Sequence, residues 1–210
     1  MNPLLIQRRG MMAGKALPYD AEVEYLQSSG NCYIDTGITA GNTLQIELKM
    51  LHRNTQNNTS YGFFFGSRVA NNNKQYGLLE TYIGNYRYGN SQSSSYVMQN
   101  DTIVLFTNTD QVNNMKVYDD NNVLLTTLST NTSIFDNGLK AGLFGCNTSG
   151  TYNYGSSITI YSLKMYKSST LVRDFIPVRV GTVGYMYDRV SVQLFGNMGT
   201  GNFILGPDIQ

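Results

Sequence analysis

Period-two alternation dominates the chain beyond Ala21. In 43–50, Leu44, Ile46, Leu48 and Met50 fall on one side and Gln45, Glu47 and Lys49 on the other, the pattern of a half-buried strand. Residues 102–107 (TIVLFT) are apolar without alternation, which predicts a strand buried on both faces. Residues 115–118 and 123–126 flank Asp119-Asp120-Asn121-Asn122 and predict a hairpin with a polar turn. Farther on, Ile158, Ile160, Ser162, Lys164 and Tyr166 alternate with Thr159, Tyr161, Leu163 and Met165. Residues 171–178 form a further strand, with Pro177 near its end where an edge tolerates it. Residues 183–187 and 192–195 complete the set, and 23–26 opens it. No window shows helical periodicity. Strands roughly ten residues apart, separated by turn signals, predict an all-β sandwich or barrel. The Asn/Ser/Gly/Tyr-rich stretches 54–60, 71–74, 85–95 and 147–157 read as loops, and none divides residues 21–210 into two domains.

Residues 1–20 do not share the pattern. MNPLLIQRRGMMAGKALP is apolar, then basic, then apolar, and Pro3, Gly10, Gly14 and Pro18 discourage a long helix. We read it as an extended N-terminal arm. Leu4, Leu5 and Ile6 offer an apolar knot, Met11 and Met12 adaptable contacts, and Arg8 and Arg9 partners for acidic groups. All seven are candidate docking residues for a neighbouring chain. A secretory signal places its basic residues first and follows them with a longer apolar core. The expectation is therefore a protein that stays in the cytoplasm where it is made, or leaves it inside an assembly. No stretch reaches the ~18 apolar residues of a membrane span.

Composition sharpens this picture. The chain of 210 residues has 41% hydrophobic and only 14% charged residues, so its polar surface is built from Asn, Ser, Thr, Gly and Tyr. Sixteen Tyr and 21 Gly with four Pro favour short strands joined by tight turns. A net charge of +1 gives no global attraction for nucleic acid. Cys32 and Cys146 are the two cysteines; too few for a disulfide framework, they read as reduced thiols packed as small hydrophobes.

The chemistry of catalysis is sparse. A glycosidase needs two carboxylates flanking the scissile bond. The only glutamates are Glu22, Glu24, Glu47 and Glu80, and the one suitably spaced pair, Glu22 and Glu24, stands beside the arm. His52 is the single histidine and lacks a nucleophile motif near it, and one His with two distant Cys does not make a zinc site. Calcium is the one cofactor considered, at Asp119–Asn122; four adjacent residues do not converge on one ion, and a hairpin turn accounts for them better. The sequons at Asn58, Asn131 and Asn147 are discounted without a signal peptide. The expectation is a protein that is not an enzyme, with no metal. The aromatic loops are the best ligand signal: Tyr86, Arg87, Tyr88 and Asn90 in one, Tyr152, Asn153 and Tyr154 in the other. Tyr presents a flat apolar face for a sugar ring and Asn an amide for its hydroxyls; the same tyrosines equally suit a protein contact or cover for a sheet face.

Two segments carry a resemblance. The first is residues 24–37, EYLQSSGNCYIDTG. The second runs through 160–166 (IYSLKMY), 171–178 (LVRDFIPV), 183–188 (VGYMYD) and 197–203 (NMGTGNF). Together they resemble the laminin G-like, concanavalin A-like jelly-roll domains of gut bacterial surface proteins and tailed-phage virion proteins. The likeness frames residues 24–206, with the middle matching in pattern alone. It implies a two-sheet antiparallel jelly-roll sandwich with a non-catalytic adhesion, glycan-binding or structural role, and it assigns no ligand residue. These residues also make sense physically. Asp35-Thr36-Gly37 suits a turn closed by the Asp side chain. Arg173 and Asp174 point to opposite faces of a strand, so one of them is free to meet a buried polar partner. Gly199-Thr200-Gly201 suits a tight closing turn before Phe203.

The expectation is thus a structural or adhesion protein, foremost a tailed-phage virion component (capsid decoration or fibre) whose lectin-like domain binds host or mucosal glycans. The alternative is an adhesion module at a bacterial cell surface; a glycoside hydrolase is the least favoured. The expected partners are other virion or surface-assembly proteins and glycans, within an oligomer or larger assembly.

Overall fold

A computed structural model describes residues 16–28, 30–41, 43–52, 62–69, 75–80, 85–89, 101–110, 114–129, 137–153 and 155–209. Among them there is no helix. The strands are, in order, β1 (Ala21–Glu22), β2 (Leu26–Gln27), β3 (Ile34–Thr39), β4 (Leu44–His52), β5 (Gly62–Arg68), β6 (Gln75–Glu80), β7 (Tyr86–Tyr88), β8 (Thr102–Thr107), β9 (Asn114–Asp119), β10 (Leu124–Ser129), β11 (Lys140–Leu143), β12 (Cys146–Thr148), β13 (Thr151–Asn153), β14 (Ile158–Lys167), β15 (Thr170–Val180), β16 (Val183–Asp188), β17 (Gln193–Phe195) and β18 (Ile204–Leu205).

They form two sheets. The larger runs β10-β9-β8-β4-β14-β15-β16-β17, with β1 on β15 and β2 joining β14 to β18. The smaller runs β13-β12-β5-β11-β3, with β6 and then β7 continuing from β5. The chain crosses between layers as successive groups, β3, then β4, then β5–β7, then β8–β10, then β11–β13, then β14–β18. This is a jelly-roll sandwich. One pairing departs from the expected antiparallel rule: β12 runs parallel to β5, with Asn147 opposite Ser67.

The alternation in β4 sets the inner face. Leu44, Ile46, Leu48 and Met50 are buried, while Glu47 and Lys49 look outward to Lys164 and Asp120. Between the layers, Phe106 of the large sheet meets Phe64 and Tyr86 of the small one, with ring centres 6.4 and 4.8 Å apart. Each such aromatic buries a large apolar area.

Three readings need correction. In β8 only Val104 and Phe106 are buried; Ile103 and Leu105, on the outer face of the large sheet, are half-covered. In β14 the alternation changes phase: Ile160 pairs with Met50 but Ser162 pairs with Lys49. The extra residue at Tyr161 is a β-bulge, so Ile158 and Ile160 before it and Leu163 and Met165 after it all enter the core. Pro177 lies in an inner strand rather than at an edge, opposite Met186 of β16. The Val23 amide donates to the Pro177 carbonyl at 3.0 Å, so the side of Pro177 that lacks a donor faces the short β1 and Val23 rather than the longer β16.

Arm residues Leu4, Leu5, Ile6, Arg8, Arg9, Met11 and Met12 lie outside the described residues. Its last two residues are tied to the sandwich. The Tyr19 ring packs edge-on against Tyr187 with centres 4.9 Å apart, and Asp20 accepts from the Gly181 amide at 2.6 Å.

Candidate functional site

The two segments that carry the resemblance come together in space, although the residues that meet stand more than 160 positions apart. The Tyr33 amide donates to Asn197 Oδ1 at 3.0 Å. The Met198 amide donates to the Tyr33 carbonyl at 2.9 Å, and the Thr200 amide to the Asn31 carbonyl at 3.1 Å. Asn197 also accepts from the Gly199 amide at 2.8 Å, which closes the expected turn. Glycines permit this approach. A Cβ on Gly199 would stand 2.0 Å from the Asn31 carbonyl oxygen, and one on Gly155 would stand 2.2 Å from that of Gly30. Gly30 itself has φ +101°, a region open to glycine.

The result is an open cleft of about 360 Å³. The segments 30–33 and 198–200 form one side, and Gly145, Tyr152, Asn153 and Gly155 the other. Tyr33 and Tyr152 stack within it, ring centres 4.4 Å apart and planes 5° from parallel. Tyr152 lies over Gly142, where a Cβ would meet its ring at 2.8 Å. Burial, and then the nearby Asp35 carboxylate, hold the Tyr152 phenol protonated well above its ordinary pKa.

The β12–β13 hairpin fixes the far wall. Asn147 Oδ1 accepts from the Gly150 amide at 2.8 Å, and its Nδ2 donates to the Lys140 carbonyl at 3.0 Å. Arg68 Nε donates to Thr148 Oγ1 at 3.3 Å, and that hydroxyl donates to Asn153 Oδ1 at 2.8 Å. This relay fixes the Asn153 carboxamide oxygen and leaves its amide nitrogen as the donor for a ligand. Asn31, Asn153, Met198 and Thr200 are exposed on the rim. Rings, amides, a hydroxyl and a thioether thus converge on one opening, with no carboxylate, imidazole or amine among the described lining residues.

Of the expected ligand residues, the structure brings Tyr152 and Asn153 into this cleft. Asn90 and Tyr154 lie outside the described residues. Tyr86 and Tyr88 require correction as ligand-stacking residues. Both are 1% exposed and form core, because on β7 they share the inward face. The Tyr88 hydroxyl accepts from Asn108 Nδ2 at 3.0 Å, which provides the polar partner that a buried tyrosine needs. Arg87 between them is half-buried and does not line the cleft.

The other candidates sort as follows. Asp119 Oδ1 accepts from the Asn121 and Val123 amides at 3.0 and 2.8 Å, so the proposed calcium oxygen is occupied in closing a turn. No group of three His, Cys, Asp or Glu fit for a metal exists among the described residues. Glu22 accepts from the Tyr19 hydroxyl at 3.0 Å, Glu24 is exposed, and Glu80 is buried in β6. The His52 side chain lies outside the described residues, as do the sequons at Asn58 and Asn131. Both cysteines are buried thiols outside any disulfide, and burial pushes the Cys146 thiol up to about 12. Asn31, Tyr33, Met198 and Thr200 were not singled out as ligand residues. Their segments read only as turns, and no local spacing announces that they meet.

No family model matches the chain, and no curated protein matches it. Solved structures do. The CBM40 of the Ruminococcus gnavus IT-sialidase, bound to α2,3-sialyllactose, aligns at TM-score 0.45 and 16% identity over 72% of this chain and 92% of that one. A heptameric SAP-like pentraxin from Limulus polyphemus aligns at TM-score 0.45 and 12% identity over 93% and 98%. The K499G mutant of NanB sialidase from Streptococcus pneumoniae aligns at TM-score 0.43 and 9% identity, covering 90% of this chain and 40% of its own.

Proposed function

We propose that the protein is a non-enzymatic binding module whose cleft at Tyr33 and Tyr152 holds a carbohydrate. The observation that carries this reading is the stacked tyrosine pair on a glycine floor, rimmed by exposed carboxamides. A sugar ring has one face of C–H groups, which an aromatic ring accepts, and hydroxyls at its edge, which Asn and Thr satisfy in both donor and acceptor senses. A cleft of about 360 Å³ lies at the small end of ligand sites, a size for one or two sugar residues. The described lining offers no acid–base pair to cleave a glycosidic bond.

The test is a glycan array followed by titration calorimetry with the sugars retained. Tyr33→Ala and Tyr152→Ala should each weaken binding by about 1 kcal/mol or more, with no reducing ends released. Unchanged binding in both variants would remove the cleft from consideration.

We further propose that the module works inside an assembly, foremost a tailed-phage virion, with a bacterial surface protein as the alternative. The sequence resemblance and the apolar-basic pattern of the arm support this. Deleting residues 1–18 should leave the melting temperature within a few degrees and abolish incorporation into the assembly; normal incorporation would refute the docking role. Mass spectrometry of purified particles separates the two settings.

A further inference from the structure

The charge around the cleft limits which sugars it can take. Its described lining presents only neutral polar groups: the carboxamides of Asn31 and Asn153, the Thr200 hydroxyl, the Tyr33 phenol and backbone. Ser29 and Tyr154, the chain neighbours of the lining that lie outside the description, are uncharged as well. The cation bonded to the hairpin, Arg68, donates through Nε to Thr148 and is not a lining residue. Among the described residues an acid stands beside the site: Asp35 lies two residues beyond Tyr33 on β3 and adds to the upward shift of the Tyr152 phenol.

A carboxylate taken from water into such a cleft loses hydration, and it is compensated only by charge-assisted partners such as arginine. Here it would meet neutral donors and a like charge. Hydroxyl and acetamido groups face no such penalty, because carboxamides and hydroxyls match them group for group. Resting on the carbohydrate reading above, we infer that the cleft selects uncharged sugars and excludes those that carry a carboxylate, such as sialic and uronic acids.

Matched pairs test this on the full chain: lactose against 3′-sialyllactose, N-acetyllactosamine against its α2,3-sialylated form, and glucose against glucuronic acid, within an array of neutral and acidic glycans. The neutral member of any pair that binds should bind about tenfold or more tightly than its acidic partner, a gap of about 1.4 kcal/mol. Thr200→Arg, which places a guanidinium on the exposed rim, should narrow that gap. An acidic member that binds as well as its neutral partner, and loses binding in Tyr152→Ala, overturns the selectivity while leaving the carbohydrate site standing. Absence of binding to every sugar on the array overturns both.

Discussion

Asp188 is a heavily used carboxylate in the sandwich, and replacing it with Asn isolates the value of its charge. It is fully buried. Its Oδ1 accepts from the Asp174 and Val190 amides at 2.8 and 3.1 Å. Its Oδ2 accepts from the Ser191 amide and hydroxyl at 3.1 and 2.6 Å, and Arg173 Nη1 stands 3.4 Å away. Arg173 in turn donates through Nε to the Thr36 carbonyl at 3.0 Å and lies 5.3 Å from the centre of the Phe195 ring. It therefore ties β15 of the large sheet to β3 of the small one. In Asp188→Asn the shape is kept, but an NH₂ must replace one oxygen and face donors. Hydrogen bonds to a charged group contribute about 1.5–3 kcal/mol each, and breaking a buried pair from one side costs about 3–5 kcal/mol. The second figure already contains part of the first, so the expected loss is about 3–5 kcal/mol. Against a total stability of roughly 5–15 kcal/mol, that is a large fraction. Arg173→Met should lose less, because Asp188 keeps its three amides and the Ser191 hydroxyl. The chain has no Trp, so urea unfolding is followed by circular dichroism, with m unchanged as the sign that native compactness is intact. The double variant completes the cycle, and a coupling above about 0.5 kcal/mol is expected for groups in contact. A loss below about 1 kcal/mol in Asp188→Asn would refute the claim that this carboxylate locks the two sheets.

Three further outcomes follow from burial. Burial pushes the Tyr88 phenol up to about 12 and holds Tyr76 well above its usual value. The unfolded chain loses these protons from about pH 10 while the folded one retains them, so the stability they contribute is complete below pH 10 and is lost as pH rises towards 12. For Tyr88 alone this is on the order of 3 kcal/mol. Tyrosinate absorbance should show a late phase coincident with unfolding by circular dichroism, and complete tyrosine titration with native ellipticity would contradict it. Gly155→Ala drives a Cβ to 2.2 Å from the Gly30 carbonyl, so a loss of about 1–3 kcal/mol from overpacking is expected in urea unfolding together with loss of cleft binding; wild-type behaviour in both would refute the close approach. With Cys32 and Cys146 both buried and the Cys146 thiol pushed up to about 12, neither should react with a thiol reagent at pH 8 until the chain is unfolded. Rapid native reaction of either would show that the packing is looser than described.

Alternation identified β4 and its buried face because Leu44, Ile46, Leu48 and Met50 are apolar and Glu47 and Lys49 between them are charged. The same rule faltered where a residue type is ambiguous. Tyr86 and Tyr88 sit two apart, and period two says that they share a face but not which one. A tyrosine enters a core when its hydroxyl finds a partner, and Asn108, some 20 residues away, supplies one for Tyr88. In β14 the rule failed for a geometric reason: the bulge at Tyr161 inverts the inside and outside of all that follows, and no local residue marks it. The cleft was illegible for a third reason. It is made by close approach of the glycine backbones of segments far apart in the chain, so it has no spacing to detect, only a fold to produce it.

The segments that carried the resemblance, however, mark both the sheet lock and the cleft. Residues 173–174 and 188 supply the lock, and residues 30–33 and 198–200 supply one side of the cleft. The two are joined through β3: Arg173 holds the Thr36 carbonyl, and Thr36 donates through its hydroxyl to the Ala141 carbonyl at 2.8 Å, on the strand over whose Gly142 Tyr152 packs. Tyr33 enters the cleft from the residue just before β3. A fixed β3 therefore holds Tyr33 on one side and, through β11, the bed of Tyr152 on the other. Side chains that act as a ligand platform must be held within a fraction of an ångström to be of use, and the stacked rings have no covalent tie to each other. On the binding reading proposed above, a charged lock away from the cleft serves that demand. A sandwich this poor in charge spends one of its few arginines on the strand that aligns the two tyrosines.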